Sequence, residues 1–224
     1  MIPSNSRQLK IAIVPRLTGP YAPAPPNVLR LIECIGAVPL VLPPGYSLDG
    51  LDECSGLFLQ GGSDVVSIRD ALGGEERDAS RDLAEYAALQ RALQLGIRVV
   101  GVCRGMQLIN SYFGGTDARI ETSAQVLDHG SSAAWTQHDV ILDSRSLVAR
   151  RLGTRRLSNC SSHHQRKIMG LGAGLRATGW ATDGCVEAIE GPGCATIGVQ
   201  WHPEDTAASD TIQARMVELM FNRP

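Results

Sequence analysis

The sequence lacks the features that would place it in a membrane, in an oxidising compartment or on a nucleic acid. It has no apolar run near the roughly 18 residues that cross a bilayer, and residues 1–10 lack the apolar core of a signal peptide. Its six cysteines form no C-x-x-C pair. Its net charge of −2 gives no overall attraction to nucleic acid or to an anionic membrane. We therefore expect a cytoplasmic protein with reduced thiols and neither of those partners.

What is present is a chain of 224 residues, 43% hydrophobic, which is long enough for one α/β domain with a full core. No internal repeat, low-complexity tract or long linker divides it, so we predict a single domain over residues 1–224. Apolar strands alternate with helices in the first half of the chain, which is typical of a doubly wound parallel sheet. The predicted strands are Lys10–Val14, Val38–Leu42 and Gly56–Gln60, and the predicted helices are Asn27–Ile35 and Glu75–Leu95.

The second half has a different pattern, in which short strands are separated by turns such as Asp183-Gly184 and Gly191-Pro192-Gly193. A final helix is predicted over Thr206–Phe221. The whole chain therefore indicates a flavodoxin-like, doubly wound, mainly parallel sheet with an antiparallel extension in the C-terminal half. The strands of that extension are predicted at His138–Leu142, Leu157–Ser161, Leu175–Trp180, Val186–Glu190 and Ala195–Gln200.

The stretch from Ile97 to Asn110 organises the chain. It begins as an apolar, β-branched run typical of a strand buried on both faces, and passes through Gly-x-Cys-x-Gly into a helix. A nucleophile on such a turn sits at a sharp corner, with small neighbours on either side. The turn also places Cys103 at a helix N-terminus, which favours a thiolate. We interpret Cys103 as a nucleophile, the alternative from this stretch alone being a buried structural cysteine.

A catalytic thiol needs a base, and the last predicted strand is followed by one. His202 can take the proton of the thiol, while Glu204 can fix the tautomer of the imidazole and stabilise its charged form. An oxyanion needs fixed N–H donors. We expect one from Arg104, the residue after the nucleophile, and a second from the Gly61-Gly62 pair that ends another strand.

These features resemble the class I glutamine amidotransferases, and within them the γ-glutamyl hydrolase branch, peptidase family C26, which includes γ-glutamyl-γ-aminobutyrate hydrolases. The resemblance covers most of the chain. The motifs that carry it are Leu59-Gln60-Gly61-Gly62-Ser63-Asp64-Val65, Arg81-Asp82-x-x-Glu85, Gly101 to Asn110, Ser161-Ser162-His163-His164-Gln165, Asp183-Gly184-x-x-Glu187-Ala188 and Gly198 to Glu204.

The resemblance implies a cysteine-dependent hydrolase that cleaves γ-glutamyl amide bonds through a γ-glutamyl thioester and releases glutamate and an amine. It implies no cofactor, and it assigns roles to residues of this chain. The implied triad is Cys103, His202 and Glu204, the implied oxyanion hole is the amides of Gly62 and Arg104, and the expected substrate-binding residues are Gly61, Gln107, Ser161, Ser162 and His163.

The adjacent histidines His163 and His164 raise the question of a metal site. On an extended segment they point to opposite faces, so one at most enters the substrate pocket, and the position matching the family is His163. Because the two side chains are opposed and no further ligands stand at metal-binding spacing, we expect no metal.

Three other functions stay open at this point. The chain is shorter than the usual member, as in a small subgroup that hydrolyses γ-glutamyl phosphoramidate nucleotides such as γ-glutamyl-CDP-amidate. A basic run could contact a pyrophosphate there, although such runs usually face solvent. The chain could also be a glutaminase subunit that supplies ammonia to a separate synthetase, or an idle binding module, which the intact triad disfavours. A homodimer is left open. The basic run comprises Arg145, Arg150, Arg151, Arg155 and Arg156.

Overall fold

The computed structural model describes residues 8–15, 24–43, 47–62, 79–120, 127–130, 134–206 and 210–222. The strands are β1 (Lys10–Ile13), β2 (Val38–Val41), β3 (Gly56–Leu59), β4 (Arg98–Val102), β5 (Thr116–Arg119), β6 (Thr136–Leu142), β7 (Arg156–Ser162), β8 (Arg166–Gly170), β9 (Arg176–Trp180), β10 (Val186–Glu190) and β11 (Thr196–Val199). The helices are α1 (Pro26–Cys34), α2 (Ala79–Gln94), α3 (Arg104–Tyr112), α4 (Leu147–Leu152), α5 (Pro203–Thr206) and α6 (Thr211–Phe221).

The main sheet has nine strands in the order β2-β1-β3-β4-β11-β10-β9-β6-β7. The first five are parallel to one another, and each later strand is antiparallel to its neighbour. The predicted fold class, a flavodoxin-like α/β sheet with an antiparallel extension in the C-terminal half, is therefore confirmed. Pro39 lies in β2 at the sheet edge, where a residue without an N–H group is tolerated.

Helices cover both faces of the parallel half, which explains why its strands are apolar throughout. Alternate residues of β1 enter different cores, with Ile11 and Ile13 in one and Ala12 in the other. The first core contains side chains of α1 and α6, and the second contains side chains of α2 and α3. A strand buried on both faces needs apolar residues at every position, so it reads as a continuous hydrophobic run.

Several elements differ from the prediction, and in each case the local signal is weak. The strands β5 and β8 pair in a separate two-stranded sheet and have little apolar alternation, and α4 has only six residues. The predicted final helix is wrong at its start, because α5 ends at Thr206 and α6 begins after Asp210. The carboxylate of Asp210 accepts from the amide of Ile212 at 2.8 Å and caps α6. The predicted start of α2 at Glu75 lies outside the described residues.

No helix in the described ranges is long and apolar enough to cross a membrane. The single-domain organisation over residues 1–224 stays a prediction.

The turn between β4 and α3 depends on two glycines because backbone approaches backbone there. A Cβ on Gly101 would lie 2.6 Å from the carbonyl oxygen of Gly105, and a Cβ on Gly105 would overlap the carbonyl oxygen of Leu59 in β3. The start of α3 therefore packs directly onto the neighbouring strand. This contact fixes where the residue between the two glycines, Cys103, can lie.

We expect Gly105→Ala to lower the free energy of unfolding by about 3 kcal/mol, because the added methyl group meets main-chain atoms that cannot rotate away. The matched control is Gly36→Ala, whose methyl group faces open space and is disfavoured by the positive φ of 75° alone, at about 1–2 kcal/mol. Urea unfolding measures both. Equal losses in the two variants would show that the close approach does not constrain the turn.

Candidate active site

Cys103 occupies a strained bend between β4 and α3. Its φ of 51° and ψ of −106° lie in a region that residues with a side chain rarely adopt. The bend is held from both sides, since the Cys103 amide donates to the carbonyl of Val199 at 2.7 Å and its carbonyl accepts from Met106 at 3.0 Å. Such a conformation costs about 1–3 kcal/mol and persists only where its surroundings enforce it. The strand-to-helix turn expected from Gly-x-Cys-x-Gly is present.

His202 and Glu204 meet this sulfur from the far end of β11. The sulfur of Cys103 adjoins the imidazole of His202 and interacts with it electrostatically. On the other side of the ring, Nδ1 of His202 lies 2.7 Å from Oε1 of Glu204. The backbone amide of His202 donates to the carbonyl of Ser161 at 2.8 Å. This hydrogen bond fixes the position of the His202 main chain, from which the imidazole extends. All three side chains of the predicted triad are thus brought together and buried.

The charges around His202 favour its protonated form. Burial of the imidazole opposes the charge, but the neighbouring Glu204 carboxylate and the Cys103 sulfur outweigh it and raise the pKa of His202 well above its usual value. An imidazolium between a sulfur and a carboxylate is stabilised on both sides. The arrangement therefore favours a protonated imidazole at His202 beside the sulfur of Cys103.

The Gly61-Gly62 pair lies beside His202 and Cys103 on one side and beside Arg81 and Arg104 on the other. A Cβ on Gly61 would be 2.8 Å from Cε1 of His202 and 3.7 Å from Cβ of Cys103, so only glycine leaves the ring and the thiol in place. A Cβ on Gly62 would overlap the guanidinium of Arg81. The main chain just after β3 therefore packs against the ring of His202 and beside Cys103.

Four buried charges fix the main chain on both sides of the sulfur. Arg81 donates to Glu85 at 3.0 Å and to the carbonyl of Gly61 at 3.2 Å. The Arg104 side chain forms ion pairs with Asp82 and Glu85. Because the four charges cancel within one network, they hold the backbone of Gly61 and Arg104 without leaving a net buried charge. The i, i+4 spacing of Arg81 and Glu85 is a sequence signal for an ion pair on one helix face. The same spacing gives no indication that Arg104, from another helix, joins the network.

The two serines of the predicted binding segment use their hydroxyl groups within the fold. The hydroxyl of Ser161 donates to the Asp205 carboxylate at 2.8 Å, and that of Ser162 donates to the carbonyl of His129 at 3.0 Å. Ser162 is fully buried. We therefore assign the Ser162 hydroxyl to holding the segment in place, and not to contacting a substrate.

Gln107 and His163 both adjoin Cys103, and the backbone amide of Gln107 donates to the carbonyl of Cys103 at 3.2 Å. The carbonyl of His163 is 3.9 Å from Sγ of Cys103. The amide of Gln107 is buried at the start of α3 and donates to Oε1 of Gln200 at 3.3 Å. His163 is thus in contact with the sulfur of Cys103 through its main-chain carbonyl.

Trp135 is a site residue that the sequence did not reveal. Its ring stacks on that of His163 and meets that of His202 edge-on, with both centroid distances at 4.9 Å. The side chain is 51% exposed, which is unusual for so large an apolar group. It stands alone in a polar stretch with no periodicity, so no sequence pattern marked it.

Comparison with known proteins shows which family and which relatives this chain resembles. The peptidase C26 family profile matches residues 12–204. The chain is 35% identical over 177 residues to the glutamine amidotransferase-like protein YvdE of Lactococcus lactis, covering 74% of this chain and 72% of YvdE. It is 28% identical over 198 residues to the gamma-glutamyl-gamma-aminobutyrate hydrolase PuuD of Escherichia coli K12, covering 79% of this chain and 76% of PuuD.

Among solved structures, the glutaminase domain of Trypanosoma brucei CTPS with bound acivicin superposes with a TM-score of 0.68 at 17% identity. The match covers 97% of this chain and 95% of that one. At that identity, the likeness supports the fold alone.

We expect Glu204→Gln to lower the pH at which His202 loses its proton, because the amide keeps the shape of the side chain but not the negative charge. A raised pKa means that the wild-type imidazolium persists above the ordinary histidine value of 6.5, so the shift in the variant is towards lower pH. NMR titration of the ring nitrogens measures it, with His202→Gln to assign the signal. An unchanged midpoint would contradict the assigned ion pair.

Proposed function

The chain belongs to the peptidase C26 family, and on that premise we propose that it hydrolyses γ-glutamyl amide bonds through a thioester on Cys103. Membership of this family, with a gamma-glutamyl-gamma-aminobutyrate hydrolase among its relatives, makes it a hydrolase acting on C–N bonds. The observation that carries the finer proposal is the series of neighbouring groups from the Cys103 sulfur through the His202 imidazole to the Glu204 carboxylate. Such a series is what a thiol nucleophile requires: a base next to it and a group that orients the base.

In the first half of the reaction, the thiolate of Cys103 attacks the γ-carbonyl carbon of the substrate. The carbonyl oxygen becomes an oxyanion, which the amides of Gly62 and Arg104 stabilise. The C–N bond then breaks, and the imidazolium of His202 gives its proton to the departing amine. The buried ion pairs of Arg81 and Arg104 hold the main chain of both donors, so the donors need no rearrangement when the charge develops.

In the second half, water attacks the thioester. Neutral His202 takes a proton from the water, a second tetrahedral oxyanion forms in the same place, and the C–S bond breaks to release glutamate. Glu204 stabilises the imidazolium each time it forms and keeps Nε2 directed at the sulfur through its bond to Nδ1.

Recognition of the γ-glutamyl group needs donors for its α-carboxylate and acceptors for its α-ammonium group. Gln107 offers both kinds from α3, and we assign it to the glutamyl end. We assign His163 and Trp135 to the wall beside the sulfur, where their stacked rings form a flat, largely apolar surface. Gly61 and Ser161 act through the main chain, which places His202.

The basic run gives no support to a nucleotide substrate, because its guanidinium groups are largely used within the chain. Arg145 pairs with Asp143 at 3.2 Å, and Arg156 donates to Asp139 at 2.9 Å. Arg155 donates to the carbonyl of Leu142, and Arg151 to the carbonyls of Leu219 and Asn222.

The purified chain, assayed without any partner on a panel of γ-glutamyl amines and on glutamine, should release glutamate from at least one γ-glutamyl amine. We expect Cys103→Ala to abolish this turnover, because it removes the sulfur that adjoins the His202 imidazole, while Cys34→Ala, at an exposed thiol of α1, should leave it unchanged. Glutamate release is measured with a coupled assay.

Glutaminase activity that appears only after a synthetase chain is added would favour the amidotransferase alternative. Retained turnover in Cys103→Ala would rule out thioester chemistry at this residue.

Trp135→Ala should raise KM more than it lowers kcat, because the indole forms the wall of the site and takes no part in proton transfer. Removing a stacking surface of this kind costs about 1 kcal/mol, or roughly five-fold. Trp135→Phe, which keeps a flat ring, is the matched control and should restore most of the affinity. Steady-state kinetics on the preferred substrate measures KM and kcat for each variant. An effect confined to kcat would contradict the role as a wall and assign the indole to positioning His202 instead.

A further inference from the structure

A second buried group of titratable side chains lies behind the segment that lines the active site. His129, His138, His164 and Glu187 are each less than a tenth exposed. One ligand atom from each converges on a common point, and these atoms all lie within 4.8 Å of one another. The shortest separation is 3.2 Å, from Nδ1 of His129 to Nε2 of His138. Oε1 of Glu187 lies 3.4 Å from the nitrogens of His129 and His164 and 3.9 Å from that of His138.

The outer nitrogen of each ring is occupied by an acceptor. Nδ1 of His138 lies 3.2 Å from the carbonyl of Asp139, and Nδ1 of His164 lies 2.9 Å from the carbonyl of Arg166. Nε2 of His129 lies 3.0 Å from the carboxylate of Asp183. Carbonyl and carboxylate oxygens only accept, so these outer nitrogens carry the ring protons. In neutral imidazoles, the three inner nitrogens are then bare lone pairs.

The inner face therefore holds three lone pairs and a carboxylate with little to neutralise them. Nε2 of His164 and both oxygens of Glu187 have no hydrogen-bond partner among the described residues, apart from the weak S–H group of Cys185 beside the carboxylate. Buried acceptors that face one another repel and are costly to leave unsatisfied. A cation at the common point removes both costs.

We propose that these four residues bind a divalent metal ion, and that the ion is zinc. Zinc bound tetrahedrally by nitrogen and oxygen at 2.0–2.1 Å places its ligand atoms about 3.3 Å apart, close to the shorter separations of 3.2 and 3.4 Å given above. Imidazole and carboxylate are ligands that zinc accepts, and an outer acceptor on each histidine is the usual support for a metal ligand. With four protein ligands the site is closed, so its role is structural.

The ion would join parts of the chain that are distant in sequence. His129 precedes β6, His138 lies in β6, His164 follows β7 and Glu187 lies in β10. A cavity of about 310 Å³ lies beside the group, with His129, Lys167, Asp183 and Cys185 in its lining. Because His164 follows His163, whose carbonyl contacts the nucleophile, the zinc site would also brace the wall of the active site.

This inference departs from the expectation of no metal drawn from the sequence. The opposed orientation of the adjacent histidines is present, since His163 stacks on Trp135 while His164 faces Glu187. The remaining ligands come from other strands and a loop, which the spacing around His163 and His164 could not reveal.

The test measures metal content and metal-dependent stability in the full chain. Wild-type protein produced with zinc available should retain one zinc ion per chain by elemental analysis. Removal with a chelator should lower Tm, and Zn²⁺ but not Mg²⁺ should restore it. Co²⁺ in place of zinc should give the intense visible absorption of a tetrahedral site. Asp183→Asn removes the carboxylate beside Nε2 of His129 and keeps an oxygen that can accept from the amides of Leu127 or Cys185. It should weaken zinc binding about 10- to 100-fold, and Glu187→Gln should weaken it at least as much.

Cys103→Ala is the control, because a thiolate and an imidazole can also take up zinc adventitiously. It should keep the full metal content if the ion occupies the proposed site, and a loss of zinc in this variant would place the ion at the nucleophile instead. The proposal would be overturned if wild-type protein took up neither Zn²⁺ nor Co²⁺ and its Tm did not change with chelator. In that case a protonated histidine would neutralise the Glu187 carboxylate. These wild-type measurements test the zinc site even if Glu187→Gln does not fold. They also do not depend on whether the chain hydrolyses γ-glutamyl amides.

Discussion

The bend at Cys103 is the constraint on which the rest of the structure depends. A residue with φ of 51° and ψ of −106° stays in place only because main chain presses on it from both sides, through Val199 in β11 and through the packing of Gly105 on β3. The same contacts decide what stands around the sulfur. The strand on one side leads to His202, and the strand on the other ends in the Gly61-Gly62 pair.

Two groups of buried polar and charged side chains lie on either side of this bend, and both contact the main chain around it. The Arg81, Asp82, Glu85 and Arg104 network holds the ends of β3 and the start of α3. On the opposite side, the segment 161–164 divides its residues between two tasks. Ser161 and His163 adjoin His202 and Cys103, whereas Ser162 and His164 adjoin the cluster around Glu187. A change in the histidine cluster would therefore reach the active site through this short segment.

The sequence predicted what local patterns encode and missed what only folding brings together. The apolar strands, the glycines around Cys103 and the His202–Glu204 pair were visible because each depends on neighbours in the chain. The pairing of β5 with β8 was not, because neither strand has a clear alternation, and the break before α6 was missed although Asp210 is a capping residue. Trp135 and the group around Glu187 have no local signature, since their partners come from separate strands. Ser162, assigned to the substrate from the motif, turned out to donate its hydrogen bond to His129.

The most direct test of the account is to trap the covalent intermediate. Wild-type protein mixed with an activated γ-glutamyl anilide and quenched rapidly in acid should carry one γ-glutamyl group. Peptide mass spectrometry should place that group on Cys103, and hydroxylamine should release it as expected for a thioester. A turning-over enzyme with no adduct on this residue, or with the adduct on another side chain, would contradict the claim that the bend exists to present this sulfur to a γ-glutamyl carbonyl.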